Sequence, residues 1–356
     1  MSPSKPPIEG LWQPAGLVRA TVIVGGLVVL ALVLWQLLNV LLLIFGAIVV
    51  AIILRSIAGF IERHLPIGNK GALALACLFI LLLVAAFTIL LGAQISGQVA
   101  SLSQELPKQL SALGERFGIS ALPERISRQA EDFAARSNVV QSVAGYTTGL
   151  VGVLANAVLV VVAGVYLAAR PRFYRDGCLL LFPQRIRDNV AATADNAGRA
   201  LQLWLVGQLI SMVLVAVLTT AGLYLIGMPS ALALGVLAGF AEFVPVVGPI
   251  LSVIPAVLLA FAHDGTSVIW VVGLYLVIQQ VESNVILPFV QRRTVDLPPA
   301  LTLFALVAFG VLFGPLGIVL ATPLTVVSYV AVKQLYLRDA LEEETSVPGE
   351  NEAAAS

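Results

Sequence analysis

Long apolar runs separated by short polar stretches set the pattern of this chain. They fall at 17–54, 71–91, 149–169, 203–226, 231–262, 266–288 and 300–332. As one helix, 17–54 would run to roughly 57 Å, too long for a hydrocarbon core of about 30 Å. The pattern therefore predicts two short spans there, with a turn marked by Gln36 and Asn39. The runs 71–91, 149–169, 203–226 and 266–288 each predict one span, since a crossing needs about 20 apolar residues.

The runs 231–262 and 300–332 differ from the rest. Gly248-Pro249 interrupts the first near its centre and Gly314-Pro315 the second, and each opens after proline, at Pro229 and at Pro298-Pro299. Proline removes a backbone donor and clashes with the preceding turn, so neither run is expected to be one continuous helix. Arms of about 13–18 residues are too short to cross twice, so they predict re-entrant or strongly bent hairpins meeting near the midplane. The competing reading is two ordinary proline-kinked helices.

Polar stretches complete the organisation. A Pro-rich tail at 1–16, with no processing site after it, is expected to lack fixed structure. Three spans follow within 17–93. The segment 94–148 balances Lys108, Arg116, Arg125, Arg128 and Arg136 against Glu105, Glu115, Glu124, Glu131 and Asp132, with Ile95, Val99, Leu102 and Leu106 at helical spacing. It predicts extracytoplasmic amphipathic helices. After the span 149–169 comes a basic amphipathic segment, 170–202, carrying Arg170, Arg172, Arg175, Arg185, Arg187 and Arg199. Contact with anionic lipid headgroups is its expected role, and nucleic acid is not, because acids alternate with the arginines and no aromatics interleave. A span and first hairpin occupy 203–262, a span and second hairpin 266–338, and an acidic, solvated tail without fixed structure 339–356.

Composition and charge sharpen this picture. The chain is 59% apolar and 11% charged with zero net charge, against about 25% charged in soluble proteins. It is an all-α, polytopic integral membrane protein. Two spans in 17–54 would place Arg19 and the group Arg55, Arg63 and Lys70 on one side, which the positive-inside rule makes the cytoplasm. If the first hairpin returns to the side it came from, Arg292, Arg293, Lys333 and Arg338 lie inside as well, and both termini are cytoplasmic. The span-plus-hairpin units 203–262 and 266–332 then form an inverted repeat, a recurring design for alternating access.

Few ionisable residues fall inside the apolar runs. Glu242 sits just before the first break, and Glu282 lies within 266–288 beside Gln279, Gln280, Ser283 and Asn284. An intramembrane carboxylate is costly to keep, which marks a pathway. The candidate pathway residues are Gln208, Glu242, Pro245, Gly248, Pro249, Glu282, Asn284, Pro288, Gly314 and Pro315. Glu282 is the expected proton carrier, and a helix starting at Pro249 or Pro315 would aim its positive end at the solute. The bland alternative is helix–helix hydrogen bonding, the favoured role for Gln208, Gln279 and Gln280 and an even choice for Asn284. Cys77 and Cys178 form no C-x-x-C, and His64 and His263 are isolated, so no metal site, disulfide or cofactor is expected. An intramembrane hydrolase would need Ser252 and His263 as nucleophile and base, yet neither H-E-x-x-H nor G-x-S-x-G occurs, so no catalytic residue is assigned.

Several of these stretches resemble the autoinducer-2 exporter (AI-2E) family of bacterial membrane permeases. They are Phe182-Pro183, Gly207-Gln208, the run from Glu242 to Pro249, the run from Glu282 to Pro288, and Gly314-Pro315-Leu316-Gly317 with Pro323. The resemblance covers about residues 17–338. It implies an inner-membrane transporter of a small polar solute or ion, homo-oligomeric and in some members a homopentamer. The family includes exporters of the autoinducer-2 signal and proteins described as sodium–proton antiporters, so substrate does not follow from fold. A passive channel is the remaining alternative.

Overall fold

A computed structural model of the chain describes residues 14–86, 88–89, 139–263, 266–286, 297–343 and 345–350. The segment 94–138, the first 13 residues, Pro288, Arg292 and Arg293 lie outside the described residues, as do the readings that fall on them. Among the described residues all regular structure is helical. The elements are α1 (Pro14–His64), α2 (Asn69–Ala86), α3 (Val139–Ala169), α4 (Pro171–Leu179), α5 (Gln184–Leu225), α6 (Ala231–Ala241), α7 (Val247–His263), α8 (Ser267–Val281) and α9 (Pro299–Ala331). Short π-helical segments, Glu282–Ile286 and Val332–Arg338, extend α8 and α9.

The chain divides into two compact units, residues 1–46 and 47–356. In the first, α1 exposes Ile23, Val29 and Leu32. The predicted turn at Gln36 and Asn39 is absent, because α1 is helical throughout 14–64. Both amides keep their backbone donors, and no proline lies between Leu17 and Leu54 to remove one. The return of the chain that the two-span reading required is therefore not made there.

Two apolar clusters stand out among the described residues of the second unit. In one, Ala51, Leu54 and Ala58 of α1 meet Ala72 and Ala76 of α2 and Ala168 of α3. Arg55 pins this junction, donating from Nε to the Ala168 carbonyl at 2.7 Å and from Nη1 to Asn69 Oδ1 at 2.8 Å. In the other, Val215 and Leu223 of α5, Leu234 and Ala238 of α6, Ala256 and Ala260 of α7 and Val271 and Tyr275 of α8 pack together. Gly222 lets α8 approach α5 through Leu274.

By length and composition alone five described helices could cross a membrane, α9 being counted whole across Gly314, or six if a bent pair counts as one span. In that pair, α3 turns through 92° into α4. Arg170 leaves helical geometry there and Pro171 restarts it, as proline in a first helical turn does. Large apolar side chains such as Leu82, Val217, Ile269 and Val311 remain exposed on the helices. This is a multi-pass membrane protein, whose apolar faces need lipid or another apolar surface.

The end of the chain departs from the predicted solvated tail. Val347 is buried, and Arg199 Nε donates to the Gly349 carbonyl at 2.7 Å. One apolar residue and one glycine are enough to seat this short stretch on α5.

Candidate functional site: two broken helices and a carboxyl pair

The first broken run is a helical hairpin. α6 has 11 residues and α7 has 17, or about 16 and 25 Å, each shorter than the hydrocarbon core of about 30 Å. The break lies at 242–246, not at Gly248-Pro249 as the sequence pattern suggested. Pro249 falls in the first turn of α7, where its missing donor costs nothing. Val246 makes the reversal, with φ 70, an uncommon conformation for a β-branched residue. Pro245 sits in the turn and accepts from Val247 N at 2.8 Å, while Gly248 N bonds the Val244 carbonyl at 2.8 Å. Gly248 packs so closely on the Ala241 carbonyl that a Cβ would overlap it.

Glycine spacing also seats this hairpin. Gly235 and Gly239 bring α6 against the backbone of α5, at Thr220, Ala216 and Met212. A G-x-x-x-G pattern permits such close approach between membrane helices. The pattern is visible in GVLAG but was not among the sequence signals used above.

The second broken run is also folded back. Gly314 has φ 64 and ψ −148, in the middle of α9. Past it, Gly317 lies against the Phe309 carbonyl, where a Cβ would overlap, and Gly310 faces Ile318. In an uninterrupted helix residues 309 and 317 would be about 12 Å apart along the axis. Pro315 opens the second arm and is exposed at the bend.

The two intramembrane carboxylates meet. Glu242, at the end of α6, is 2% exposed, and its side chain lies beside that of Glu282, at the start of the π segment after α8. A hydrogen bond between two neighbouring carboxyl groups needs a proton on one of them, because ionised carboxylates accept and do not donate. Amides hold the pair from two sides. Gln208 Nε2 of α5 donates to the Glu242 backbone carbonyl at 2.6 Å, and Gln279 Nε2 donates to Glu282 Oε2 at 3.3 Å. Trp204 of α5 packs edge-on against Phe243 of the turn, ring centroids 6.3 Å apart. π-Helical turns often accompany functional sites, because the extra residue redirects a side chain.

The remaining candidates separate from this group. Asn284 is exposed and donates to the Gln280 carbonyl of its own helix at 2.9 Å. Gly314 and Pro315 shape the second hairpin. The nucleophile–base pair of a hydrolase is not assembled: Ser252 Oγ donates to Pro249 O at 2.9 Å, and His263 is exposed at the end of α7.

Comparison with known proteins shows the family. A family model described as AI-2E family transporter matches residues 25–337. "Putative transport protein YueF" of Bacillus subtilis (strain 168) is 25% identical over 307 residues, covering 80% of each chain. "Putative transport protein YrrI" of the same organism is 30% identical over 147 residues, which span 41% of this chain and 42% of that one. "AI-2 transport protein TqsA" of Escherichia coli (strain K12) is 30% identical over 101 residues, 28% of this chain and 29% of that protein.

Proposed function

The chain belongs to the AI-2E family of transporters, and from that premise we propose that it moves a small polar solute across the bacterial inner membrane by alternating access, with a proton carried on the Glu242–Glu282 pair. The observation that carries this reading is Glu242, buried at the tip of a hairpin too short to cross a bilayer and beside Glu282 of the π segment after α8. Moving α6–α7 relative to α8 would part the two carboxyls and release their proton. Polar solute and proton could then exchange places at the same depth.

The hairpins enter from opposite faces in this reading, giving an inverted repeat around the broken helices. Their unwound tips turn backbone groups toward a water-filled pathway. Similarity to a protein named for AI-2 transport makes autoinducer-2 the first solute to test. In this reading the C-terminus lies in the cytoplasm, while a cytoplasmic N-terminus, which required two spans in 17–54, is given up with the continuous α1. The protein assembles as a homo-oligomer, whose contacts and surrounding lipid would cover the exposed apolar faces.

A second reading rests on the same pair. Two facing carboxylates are also a ligand set for a hard cation, so the proton could exchange for sodium. Proteoliposome flux separates the readings. Under the first, a pH gradient drives uptake of labelled autoinducer-2, and Glu282→Gln abolishes the dependence on that gradient. Unchanged dependence in Glu282→Gln would remove the proton role. Sodium-driven dissipation of the gradient without movement of the solute would select the antiporter.

A further inference from the structure

The last described residues, 345–350, form a strap across the ends of two helices remote in sequence. Lys333 Nζ donates to the Ser346 carbonyl at 3.2 Å, and Arg199 Nε to the Gly349 carbonyl at 2.7 Å. Val347 is 4% exposed. Gly349 has φ +84 and lies so close to the Asn196 carbonyl that a Cβ would overlap it. Glu350 is paired with Arg338 Nη1. The strap thus joins the stretch of α5 around Asn196 and Arg199 to the π segment after α9.

Beside it is a cavity of about 490 Å³, lined by Asp195, Asn196, Arg199, Gln334, Arg338 and Glu350. Its amide floor is fixed: Asn196 and Gln334 are 5% and 8% exposed, and Asn196 Nδ2 donates to Gln334 Oε1 at 3.2 Å. Asn196 Oδ1 in turn accepts from Arg199 Nη2 at 2.6 Å, which orients that guanidinium. Asp195 is bound through both oxygens by Arg175, at 2.7 and 2.5 Å, so a cation outside the lining already meets its charge. The lining carboxylate that meets a lining guanidinium is that of Glu350, paired with Arg338, and it sits on a short strap and not on a helix. Two guanidinium forks over a rigid amide floor match the geometry of a carboxylate or a phosphate.

We propose that this cavity is a binding site for an oxyanion, a carboxylate or phosphate either free or on a lipid headgroup, and that the Glu350 carboxylate fills it as an internal competitor. Binding of the external anion releases the strap from α5 and from the π segment after α9, while the Asn196–Gln334 bond between them stays in place. Since α5 also carries Gln208, the site sits on a helix that reaches the carboxyl pair. The proposal does not depend on which solute is transported.

The test uses the full chain in phosphatidylcholine nanodiscs, titrated calorimetrically with inorganic phosphate and with malonate. Glu350→Gln is expected to bind one of them about tenfold more tightly than the unmodified protein, the scale of one charge-assisted hydrogen bond freed from its competitor. Adding Arg338→Ala to that variant should remove the gain. Arg338 is 44% exposed in its side chain, so the substitution leaves the fold standing. In the unmodified protein, saturating anion should speed hydrogen exchange at the amides of 346–350. Equal binding by all three proteins overturns the proposal, as does a gain that survives loss of Arg338 or a strap whose exchange does not respond. Phosphatidylglycerol nanodiscs identify the source: faster strap exchange before any anion is added assigns the lipid headgroup, and exchange that waits for phosphate assigns a free anion.

Discussion

Gln208 Nε2 donates to the backbone carbonyl of Glu242 at 2.6 Å, tying the middle of α5 to the tip of the first hairpin across 34 residues of sequence. The bond satisfies a carbonyl that the ending of α6 leaves without a helical partner. Gln208→Leu keeps the bulk and deletes the donor. It should cost about 1–2 kcal/mol of stability, the range for hydrogen bonds inside membranes, and lower proteoliposome flux more than it lowers the melting temperature. A flux equal to that of the unmodified protein would show that the tip holds its place without α5.

The hairpins close through glycines, and two substitutions test whether both are folded back. A Cβ at Gly248 would strike the Ala241 carbonyl, and one at Gly317 the Phe309 carbonyl. Backbone cannot yield as a side chain can, so Gly248→Ala and Gly317→Ala should each cost about 1–3 kcal/mol through overpacking. Gly273 on α8 has nothing within 4 Å of such an atom, and Gly273→Ala should leave stability unchanged or raise it, because alanine favours helix. Thermal unfolding in one detergent, all three variants together, reads this contrast. Equal melting temperatures would mean that the arms are not in contact.

Gly314 tests a different cause. No atom lies near its missing Cβ, yet its φ 64 and ψ −148 are open essentially to glycine alone. Gly314→Ala should therefore destabilise by about 1–3 kcal/mol through backbone strain with no clash. Gly314→Asn should recover little of that, since asparagine tolerates positive φ near ψ +47° and not at this ψ. Full recovery by asparagine would place the residue in an ordinary left-handed turn.

Much of this was legible in the residues. The helical class followed from run lengths and scarce charge, and both breaks from glycine and proline inside apolar runs. Glu242 and Glu282 stood out because an ionisable group in lipid is costly. Their meeting was not legible: it depends on Val271 and Tyr275 carrying α8 into the core formed by α5, α6 and α7, a tertiary fact with no local signature. The first break was placed a few residues late, because proline is as welcome in the first turn of a helix as in a turn before it. Gln36 and Asn39 suggested a turn, but polarity alone does not stop a helix whose backbone donors are intact. The strap has no signature in the sequence, because Val347 and Gly349 are single residues in an acidic stretch, too few to make a pattern.

The carboxyl pair yields the sharpest prediction. If Glu242 and Glu282 share one proton, they titrate as a unit and their substitutions cannot act independently. Glu242→Gln supplies a permanent donor where the shared proton would be, and Glu282→Gln does the same from the other side. Each should abolish the response of flux to a pH gradient while keeping the contact between α6 and α8. The double variant Glu242→Gln/Glu282→Gln should then lose nothing further in that response, since the step it would remove is already gone. Read from thermal unfolding of the four proteins, the coupling energy between the two side chains should fall in the range of about 0.5–3 kcal/mol seen for residues in contact. Proteoliposome flux with and without an imposed pH gradient, for the four proteins side by side, gives the response. Losses that simply multiply would mean that the two carboxyls act at separate steps, and the shared proton would have to be abandoned.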